Sequence, residues 1–297
     1  MTPNLNDFDE SVTQKQISET ESAQNEAIWQ KLRHEVKAIS LDLWGTILDD
    51  KHPPADTVLY SESRQNFLRE ELRRFGYDFS AEQMRAAHKQ AWDYFNELWM
   101  KQIGFGAEEG LREMLRYLNV ELPAESFQRV QKFFEEAIEN PMAMDGAIEA
   151  VKMLSTKYPL ALISDTAWTP GRVLRQIFAS YKILDCFRVL IYSGEVGICK
   201  PHPKIFHLAL EGLGVRAHEC LHIGDLQRTD IAGAKAIGMH TAWIHRPVYA
   251  GNQQEDYQPS IVVKSVMEVA EKLLEGQERQ LENKSVFNKI RADRVRG

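Results

Sequence analysis

The sequence has no long hydrophobic run, no excess of basic residues and no secretion signal, and each absence excludes a class of protein. No apolar stretch reaches the length that a membrane-spanning helix needs. The net charge of -7 provides no positive field for nucleic acid or an anionic membrane. The first ten residues, MTPNLNDFDE, have neither the basic start nor the apolar centre of a signal peptide. We therefore expect a cytoplasmic protein that binds neither nucleic acid nor membrane; no pattern predicts its oligomeric state.

Cysteine and histidine are also arranged in ways that exclude common sites. The three cysteines, Cys186, Cys199 and Cys220, are odd in number and form no CxxC motif. We therefore expect reduced thiols rather than disulfides or a zinc site. The nine histidines show no HExxH motif and no Cys/His cluster, so none is expected to bind zinc.

The distribution of apolar residues divides the chain into segments. Residues 1–27 are polar and acidic, and we expect a disordered leader, followed by a short amphipathic helix from Ala27 to Val36. Residues 52–140 show only helical periodicity, which predicts an inserted domain of about four helices. The helical runs, separated by Gly and Pro, are Val58–Phe75, Ala81–Met100, Leu111–Leu118 and Phe127–Ile138. Residues 277–297 form a charged tail with a basic end. The remaining residues, 28–51 and 141–276, form the expected core domain.

The core segments alternate between short apolar runs and helical runs. Strands are predicted at Ala38–Leu43, Leu160–Ser164, Val189–Ser193, Leu221–Gly224, His240–Ile244 and Ile261–Val263. Such alternation implies right-handed crossovers and a parallel sheet covered by helices on both faces. The predicted fold class is α/β, a Rossmann-like three-layer sandwich with a parallel sheet and an inserted all-helical domain.

Polar residues occur where several of these strands end. Asp42 ends the run KAISLD, Ser164 ends LALIS, and Asp225 follows LHIG, with Asp230 five residues later. Lys200 precedes a Pro-rich turn in the segment GICKPHPKIF. Because parallel strands open at the same edge of a sheet, we expect these side chains to converge there.

These segments resemble the four motifs of the haloacid dehalogenase-like (HAD) superfamily of hydrolases. The order matches: an aspartate followed by Gly-Thr, a strand-terminal Ser, Lys-Pro-x-Pro, then Gly-Asp with a second acid. The helical insert after the first motif is similar to the family's C1-type cap. The likeness covers about residues 36–275.

The resemblance implies a Mg²⁺-dependent phosphatase for a small phosphorylated molecule. Asp42 would be the nucleophile, which forms an aspartyl-phosphate. Lys200 would neutralise the nucleophile and the phosphate. The resemblance further implies that Ser164, Lys200 and the N–H groups of Gly45 and Thr46 hold the phosphoryl oxygens, and that the metal ligands are Asp42, the backbone carbonyl of Trp44, Asp225 and a supporting Asp230.

One position departs from the family pattern. Most phosphatases of this superfamily have a second aspartate, an acid and base, two residues after the nucleophile, but here that residue is Trp44. Indole offers one donor and no acceptor, so it cannot take a proton from water. Either the substrate has a good leaving group, or another acid acts instead; the candidates are Asp49, Asp50 and Asp165, although turn or capping roles are favoured for each.

Three further alternatives stay open. A dehalogenase-like reaction would suit an aromatic residue at position 44, because halide leaves without a proton; a phosphonatase-like reaction would need a cap lysine, with Lys51, Lys89 and Lys101 available. The other alternative is a non-catalytic binding or regulatory protein of the same fold.

Substrate specificity is expected in the helical insert. Arg85, Lys101 and Arg112 are candidates for contacts with an anionic substrate, although solvated helix faces are the favoured explanation for all three. Trp92, Phe95 and Trp99 share a helix face, and we expect them to form the core of the insert. Phe105, between two glycines, is the leading candidate for a mobile residue of the cap loop.

Overall fold

The computed structural model describes residues 10–49, 60–138, 141–246 and 257–275, with side chains from residue 23 onward. The first nine residues, Asp50, Lys51 and the tail from 277 to 297 lie outside the described residues. The chain divides into two units. Residues 37–270 form one, and residues 1–36 with 271–297 form the other.

The smaller unit contains helix α1, Glu10–Glu35. This helix begins well before the expected Ala27 and includes most of the stretch that we expected to be disordered. Its sequence contains neither Gly nor Pro, so no residue in it interrupts helical hydrogen bonding. In the same unit, Nη1 of Arg33 donates a 2.8 Å hydrogen bond to the carbonyl of Lys272.

The larger unit is built on a six-stranded parallel sheet, which confirms the predicted fold class. Its order is β3-β2-β1-β4-β5-β6. The strands are β1 Ala38–Leu41, β2 Leu160–Ser164, β3 Phe187–Tyr192, β4 Cys220–Gly224, β5 His240–Ile244 and β6 Ile261–Val263. Strand β1 ends two residues earlier than predicted because the carbonyl of Leu43 accepts the N–H groups of Ile47 and Leu48 and so starts a turn.

Four helices lie between β1 and the second half of the core, and we call α2–α5 the cap. They are α2 Tyr60–Arg73, α3 Ala81–Met100, α4 Ala107–Leu118 and α5 Ala124–Glu136. Helix α3 has its predicted bounds because Ser80 and Gln83 form a capping box at its start. The cap packs around a buried apolar cluster that includes Leu68, Met84, Leu111, Met114, Val130 and Phe134.

Six further α-helices follow the cap in the described residues. They are α6 Ala147–Ser155, α7 Gly171–Ser180, α8 Ser193–Val196, α9 Pro203–Leu213, α10 Ala232–Ala236 and α11 Val266–Leu274. Three of them, α8, α9 and α10, pack against strands of the sheet. The sequence predicts a helix from Asp230 to Ile237, but this segment begins as a π turn, Gln227–Ile231, because Asp230 and Leu226 exchange two hydrogen bonds through the Asp230 side chain and backbone. None of the helices in the described ranges is both long and apolar enough to pass through a bilayer.

The strand order places the first predicted motif at the centre of the sheet. Strand β1 lies between β2 and β4, with Leu41 beside Leu162 on one side and Ile223 on the other. The chain winds in opposite directions from this strand, which creates a crevice at its carboxyl end. Asp42 follows β1 directly, so the topology alone puts it in the crevice.

Candidate active site

The crevice contains polar side chains that the sequence predicts at the ends of the strands. The N–H of Asp42 donates to the carbonyl of Ile223 at 2.9 Å, which fixes the end of β1 against β4. Asp42, Ser164, Lys200, Asp225 and Asp230 are all buried, with Ser164 and Asp230 completely so. Close approaches among Asp42, Lys200, Asp225 and Asp230 bring residues up to 188 positions apart in the sequence into one small region, whereas the hydroxyl of Ser164 donates to the carbonyl of Asp165 at 3.5 Å.

Lys200 is the positive centre of this region. Its Nζ donates to Oδ1 of Asp42 at 2.5 Å and to Oδ1 of Asp230 at 2.7 Å, and the residue is 2% exposed. Burial lowers the pKa of Lys200. The nearby carboxylates raise the pKa by more than burial lowers it, so it lies above its ordinary value; they are Asp230, Asp42 and Asp165. Lys200 therefore remains a charged ammonium against both carboxylates.

Three carboxylates lie together in this region, and two of them, Asp42 and Asp230, contact Lys200. Asp42, Asp225 and Asp230 each offer an oxygen, and these atoms lie within 4.8 Å of one another. Burial raises the pKa of Asp42 well above its ordinary value; Lys200 opposes this rise, and Asp230 and Asp225 add to it. Mg²⁺ prefers oxygen ligands, and these three buried carboxylates offer several of them close together, so the residues present fit that ion.

Asp230 differs from the other two because protein donors already surround it. Its Oδ1 faces Lys200 and His222 Nε2, the latter at 3.2 Å, and its Oδ2 accepts the N–H of Leu226 at 3.0 Å. Burial alone would raise the pKa of Asp230, but Lys200 and His222 bring it down to about 2. It is therefore an ionised carboxylate that positions its neighbours.

The loop after β1 holds Asp42 from the other side. The hydroxyl of Thr46 donates to Oδ2 of Asp42 at 3.2 Å. The N–H groups of Gly45 and Thr46, which we expected to face phosphoryl oxygens, donate instead to the carbonyls of Leu48 and Leu43, at 2.7 and 3.3 Å. Both N–H groups point to these carbonyls because their hydrogen bonds close the turn that follows β1.

Asp165 joins the cap to the core. Its Oδ1 accepts the backbone N–H of Lys200 at 2.9 Å, and its Oδ2 accepts Nε1 of Trp99, on cap helix α3, also at 2.9 Å. Burial raises the pKa of Asp165. Both oxygens thus have structural partners, in agreement with the favoured non-catalytic role.

A cavity of about 760 Å³ opens above Asp42 and Lys200, between the cap and the core. Six of the residues that line it are aromatic. Trp44 and Trp168 contribute from core loops, and Tyr60, Trp92, Phe95 and Trp99 contribute from the cap. Arg85 and Lys89 also line it, whereas Lys101 and Arg112 form surface ion pairs with Glu97 and Glu108.

Two expectations about the cap were wrong. Trp92, Phe95 and Trp99 line the cavity rather than the cap core, and Trp92 is 41% exposed. Helix α3 instead packs a neighbouring stripe, Met84, Ala87 and Ala91, into the cap cluster. Phe105, which we proposed as a mobile loop residue, is instead buried: it is 2% exposed and packs edge-on against Phe95 and Trp168, with ring centroids 5.3 and 5.7 Å away.

Sequence reasoning missed two polar cap residues in the cavity wall, Arg64 and His88. Arg64 is 5% exposed, its Nε donates to the carbonyl of Phe134 at 2.9 Å, and its guanidinium lies over Trp168. Burial lowers its pKa to about 10. His88 stacks on the same Trp168 ring, and burial, then Arg64, lower its pKa to about 4. Trp168 comes from a core loop, so no helical pattern could have revealed this cluster.

A model of the haloacid dehalogenase-like hydrolase family matches residues 36–238, more than half of the chain. The chain belongs to this family. It is therefore a hydrolase, and the match covers Asp42, Ser164, Lys200, Asp225 and Asp230 together with the cap.

Individual HAD relatives agree with this assignment. The chain is 33% identical over 181 residues to the putative phosphatase YhcW of Bacillus subtilis strain 168, across 58% of this chain and 78% of the relative. It is 39% identical over 93 residues to a glyceraldehyde 3-phosphate phosphatase of Pyrococcus abyssi, across 31% of this chain and only 38% of that relative. A solved 2-haloacid dehalogenase of Pseudomonas syringae pv. Tomato DC3000 has a TM-score of 0.57 at 20% identity, covering 80% of this chain and 98% of that one, and shares the fold.

Proposed function

We propose that this HAD-like hydrolase is a Mg²⁺-dependent phosphatase that acts on a small phosphorylated molecule. The observation that carries the proposal is the 2.5 Å contact of Lys200 Nζ with Asp42, inside a cluster of buried carboxylates. A fixed ammonium in a buried site offsets negative charge that develops as phosphate is attacked. Relatives named as phosphatases support this reading over other hydrolyses.

The metal would be held by Asp42, Asp225 and the backbone carbonyl of Trp44, with Asp230 in support. When bound, Mg²⁺ would supply positive charge that screens these carboxylates from one another and from the phosphoryl oxygens. The occupied oxygens of Asp230 suit a supporting role, because they already accept hydrogen bonds from Lys200, His222 and Leu226.

Asp42 is the proposed nucleophile. One of its oxygens forms a bond to phosphorus while the bond from phosphorus to the leaving oxygen breaks, and water then hydrolyses the aspartyl-phosphate. Thr46 and Lys200 each bind one oxygen of Asp42 and so orient it. Ser164 and Lys200 would hold the phosphoryl oxygens; the same role for the N–H groups of Gly45 and Thr46 stays a prediction.

Trp44 makes the proposed chemistry unusual. It lines the cavity at the position where most phosphatases of this superfamily carry an acid and base. Its indole can donate a hydrogen bond but cannot accept a proton. Asp165 is held by Trp99 and the backbone of Lys200, so it is not poised to replace the missing group.

A dehalogenase-like reaction is the second candidate, and the aromatic residue at position 44 is the observation that favours it. A halide leaves without a proton, so Trp44 would be no handicap. A phosphonatase-like reaction has less support, because Lys89 and Lys101 pair with Asp93 and Glu97, both at 2.5 Å. A non-catalytic binding role is the remaining alternative.

The deciding experiment is hydrolysis of a panel of phosphate esters and acyl phosphates, with and without Mg²⁺, by the full chain and by Asp42→Asn. We expect turnover that needs both the metal and Asp42. Chloride release from 2-chloropropionate without Mg²⁺ would favour the dehalogenase candidate instead. No turnover on either set, with Mg²⁺ binding intact, would favour the non-catalytic role. The cytoplasmic location expected from the sequence stays a prediction.

A further inference from the structure

We propose that the natural substrate is an aryl phosphate monoester, whose ring lies against the aromatic wall formed by Trp92, Phe95 and Trp99. This inference rests on the proposed phosphatase function and names the chemical class of its leaving group. Two independent features lead to it: the aromatic surface of the cavity and the missing acid at Trp44.

The aromatic wall is a continuous surface on helix α3. The ring centroids of Trp92 and Phe95 are 4.9 Å apart, and those of Phe95 and Trp99 are 6.1 Å apart. All three rings line the cavity, and Trp92 is 41% exposed. A contiguous apolar surface of this kind is typical of a ligand-binding cleft, because its exposure to water is unfavourable.

The wall is fixed next to the reacting groups rather than at a distance from them. Nε1 of Trp99 donates to Asp165, and Asp165 accepts the backbone N–H of Lys200, the residue that contacts Asp42. Arg228 lies over the Trp99 ring, 4.1 Å from its centroid, and holds it from the core side. A phosphate at Asp42 would therefore place its organic group beside Phe95 and Trp92.

Trp44 limits which organic groups can leave. A phenol has a pKa of about 10, as in tyrosine, so a phenolate can depart without first receiving a proton. An aliphatic alcohol has a pKa close to that of water, about 15.7, and needs an acid that position 44 does not supply. The cavity thus has both the surface and the chemistry for an aryl leaving group.

The proposed reaction balances in two steps. An oxygen of Asp42 bonds to phosphorus, the P–O bond to the ring breaks, and its electron pair leaves on the phenolate, which takes a proton from solvent. Water then attacks phosphorus, its proton passes to solvent or phosphate, and the electron pair of the second P–O bond returns to the Asp42 carboxylate. A carboxylate also leaves without protonation, since its ordinary pKa is about 4.

Three synthetic esters separate recognition of the ring from reactivity of the leaving group. Phenyl phosphate has an aromatic ring and a good leaving group. Benzyl and cyclohexylmethyl phosphate both leave as alcohols, but only benzyl phosphate carries a planar aromatic ring. We expect wild-type kcat/KM, with Mg²⁺, to fall from phenyl to benzyl to cyclohexylmethyl phosphate, with the second fall about two- to tenfold, the range expected for an aromatic contact.

Two variants and one control complete the test. Trp92→Leu, at a position that is 41% exposed, should remove the preference for benzyl over cyclohexylmethyl phosphate. Tyr117→Leu changes an exposed aromatic residue of α4 that does not line the cavity, and it should keep the preference. Trp44→Asp should raise the rate on benzyl phosphate more than the rate on phenyl phosphate.

The outcomes distinguish this inference from the function on which it rests. Turnover of all three esters with equal kcat/KM on benzyl and cyclohexylmethyl phosphate would overturn the aryl assignment and leave the phosphatase intact. If Trp92→Leu keeps the preference for benzyl over cyclohexylmethyl phosphate, the aryl assignment is likewise overturned and the phosphatase function stays intact. No Mg²⁺-dependent turnover of any ester by the wild-type chain would overturn the phosphatase function and the inference together.

Discussion

The indole of Trp99 and the carboxylate of Asp165 join the cap to the core through a 2.9 Å hydrogen bond. The second oxygen of Asp165 accepts the backbone N–H of Lys200, also at 2.9 Å. One carboxylate therefore links a cap helix to the lysine that holds the proposed nucleophile. Cap position and the geometry of Lys200 should be coupled.

Trp99→Phe tests this coupling. The variant keeps an aromatic ring but leaves Oδ2 of Asp165 without its indole donor, which should cost about 1–3 kcal/mol of the free energy of unfolding. We also expect kcat/KM on phenyl phosphate to fall, because Lys200 loses part of its support. Urea unfolding and steady-state kinetics measure both quantities. Trp92→Phe, on the same helix face, is the matched control, and an equal loss of stability in the two variants would contradict the role of the hydrogen bond.

Lys200→Met should remove turnover and destabilise the fold. The variant leaves Asp42 and Asp230 buried without their ammonium, a change that costs about 3–5 kcal/mol when a buried pair is broken. The exposed Lys204→Met is the control.

In the wild type the pKa of Asp230 is lowered to about 2, so its stabilising contribution is full above its unfolded pKa and is lost as pH falls through about 2. The stability gap between wild type and Lys200→Met should therefore shrink below about pH 4; a gap that does not change between pH 7 and pH 3 would show that the ion pair is not its source.

Gly45→Ala should abolish Mg²⁺ binding. Gly45 has φ of +73°, and a Cβ atom there would lie 2.4 Å from Oδ2 of Asp225, so this carboxylate must move. Gly76 has φ of +83° with no neighbouring atom within 4 Å of such a Cβ, which makes Gly76→Ala the matched control. Both variants should lose about 1–2 kcal/mol from left-handed backbone strain.

Thermal unfolding with and without Mg²⁺ separates these two glycines. An ion present at 100 times its Kd stabilises the folded chain by about 2.7 kcal/mol. We expect that stabilisation in the wild type and in Gly76→Ala, and its loss in Gly45→Ala. Retention of the full Mg²⁺ effect in Gly45→Ala would argue against Asp225 as a ligand.

His88 should make the fold less stable in mild acid. Its pKa in the folded chain is lowered to about 4, below the ordinary value of 6.5, so the unfolded chain binds more protons between these values. Stability from this group is therefore present above pH 6.5 and is lost as pH falls toward 4, by about 2 kcal/mol at pH 5. His88→Gln should lose less stability than the wild type between pH 7.5 and pH 5, as measured by urea unfolding. Parallel losses in both proteins would contradict this assignment.

The parts of the fold that the sequence predicted well depend on local patterns. Helix α3 has its predicted bounds because Ser80 and Gln83 mark its start, and the strand Leu160–Ser164 follows a continuous apolar run, LALI. Boundaries were less accurate where a side chain determined the backbone. Asp230 captures the N–H of Leu226 and so turns the start of the expected helix into a π turn.

By itself the sequence determined the parallel sheet, the helical insert and the shared edge on which Asp42, Ser164, Lys200 and Asp225 meet. The strands of a parallel sheet all end at the same edge, so the order of the motifs along the chain was sufficient to predict that they share this edge. Only the tertiary structure decided which faces of the cap meet the cavity. Helical periodicity shows that Trp92, Phe95 and Trp99 share a face, but it does not show what that face contacts. That contact depends on how α3 packs against α4 and on Trp168, a loop residue from the core that enters the cap cluster.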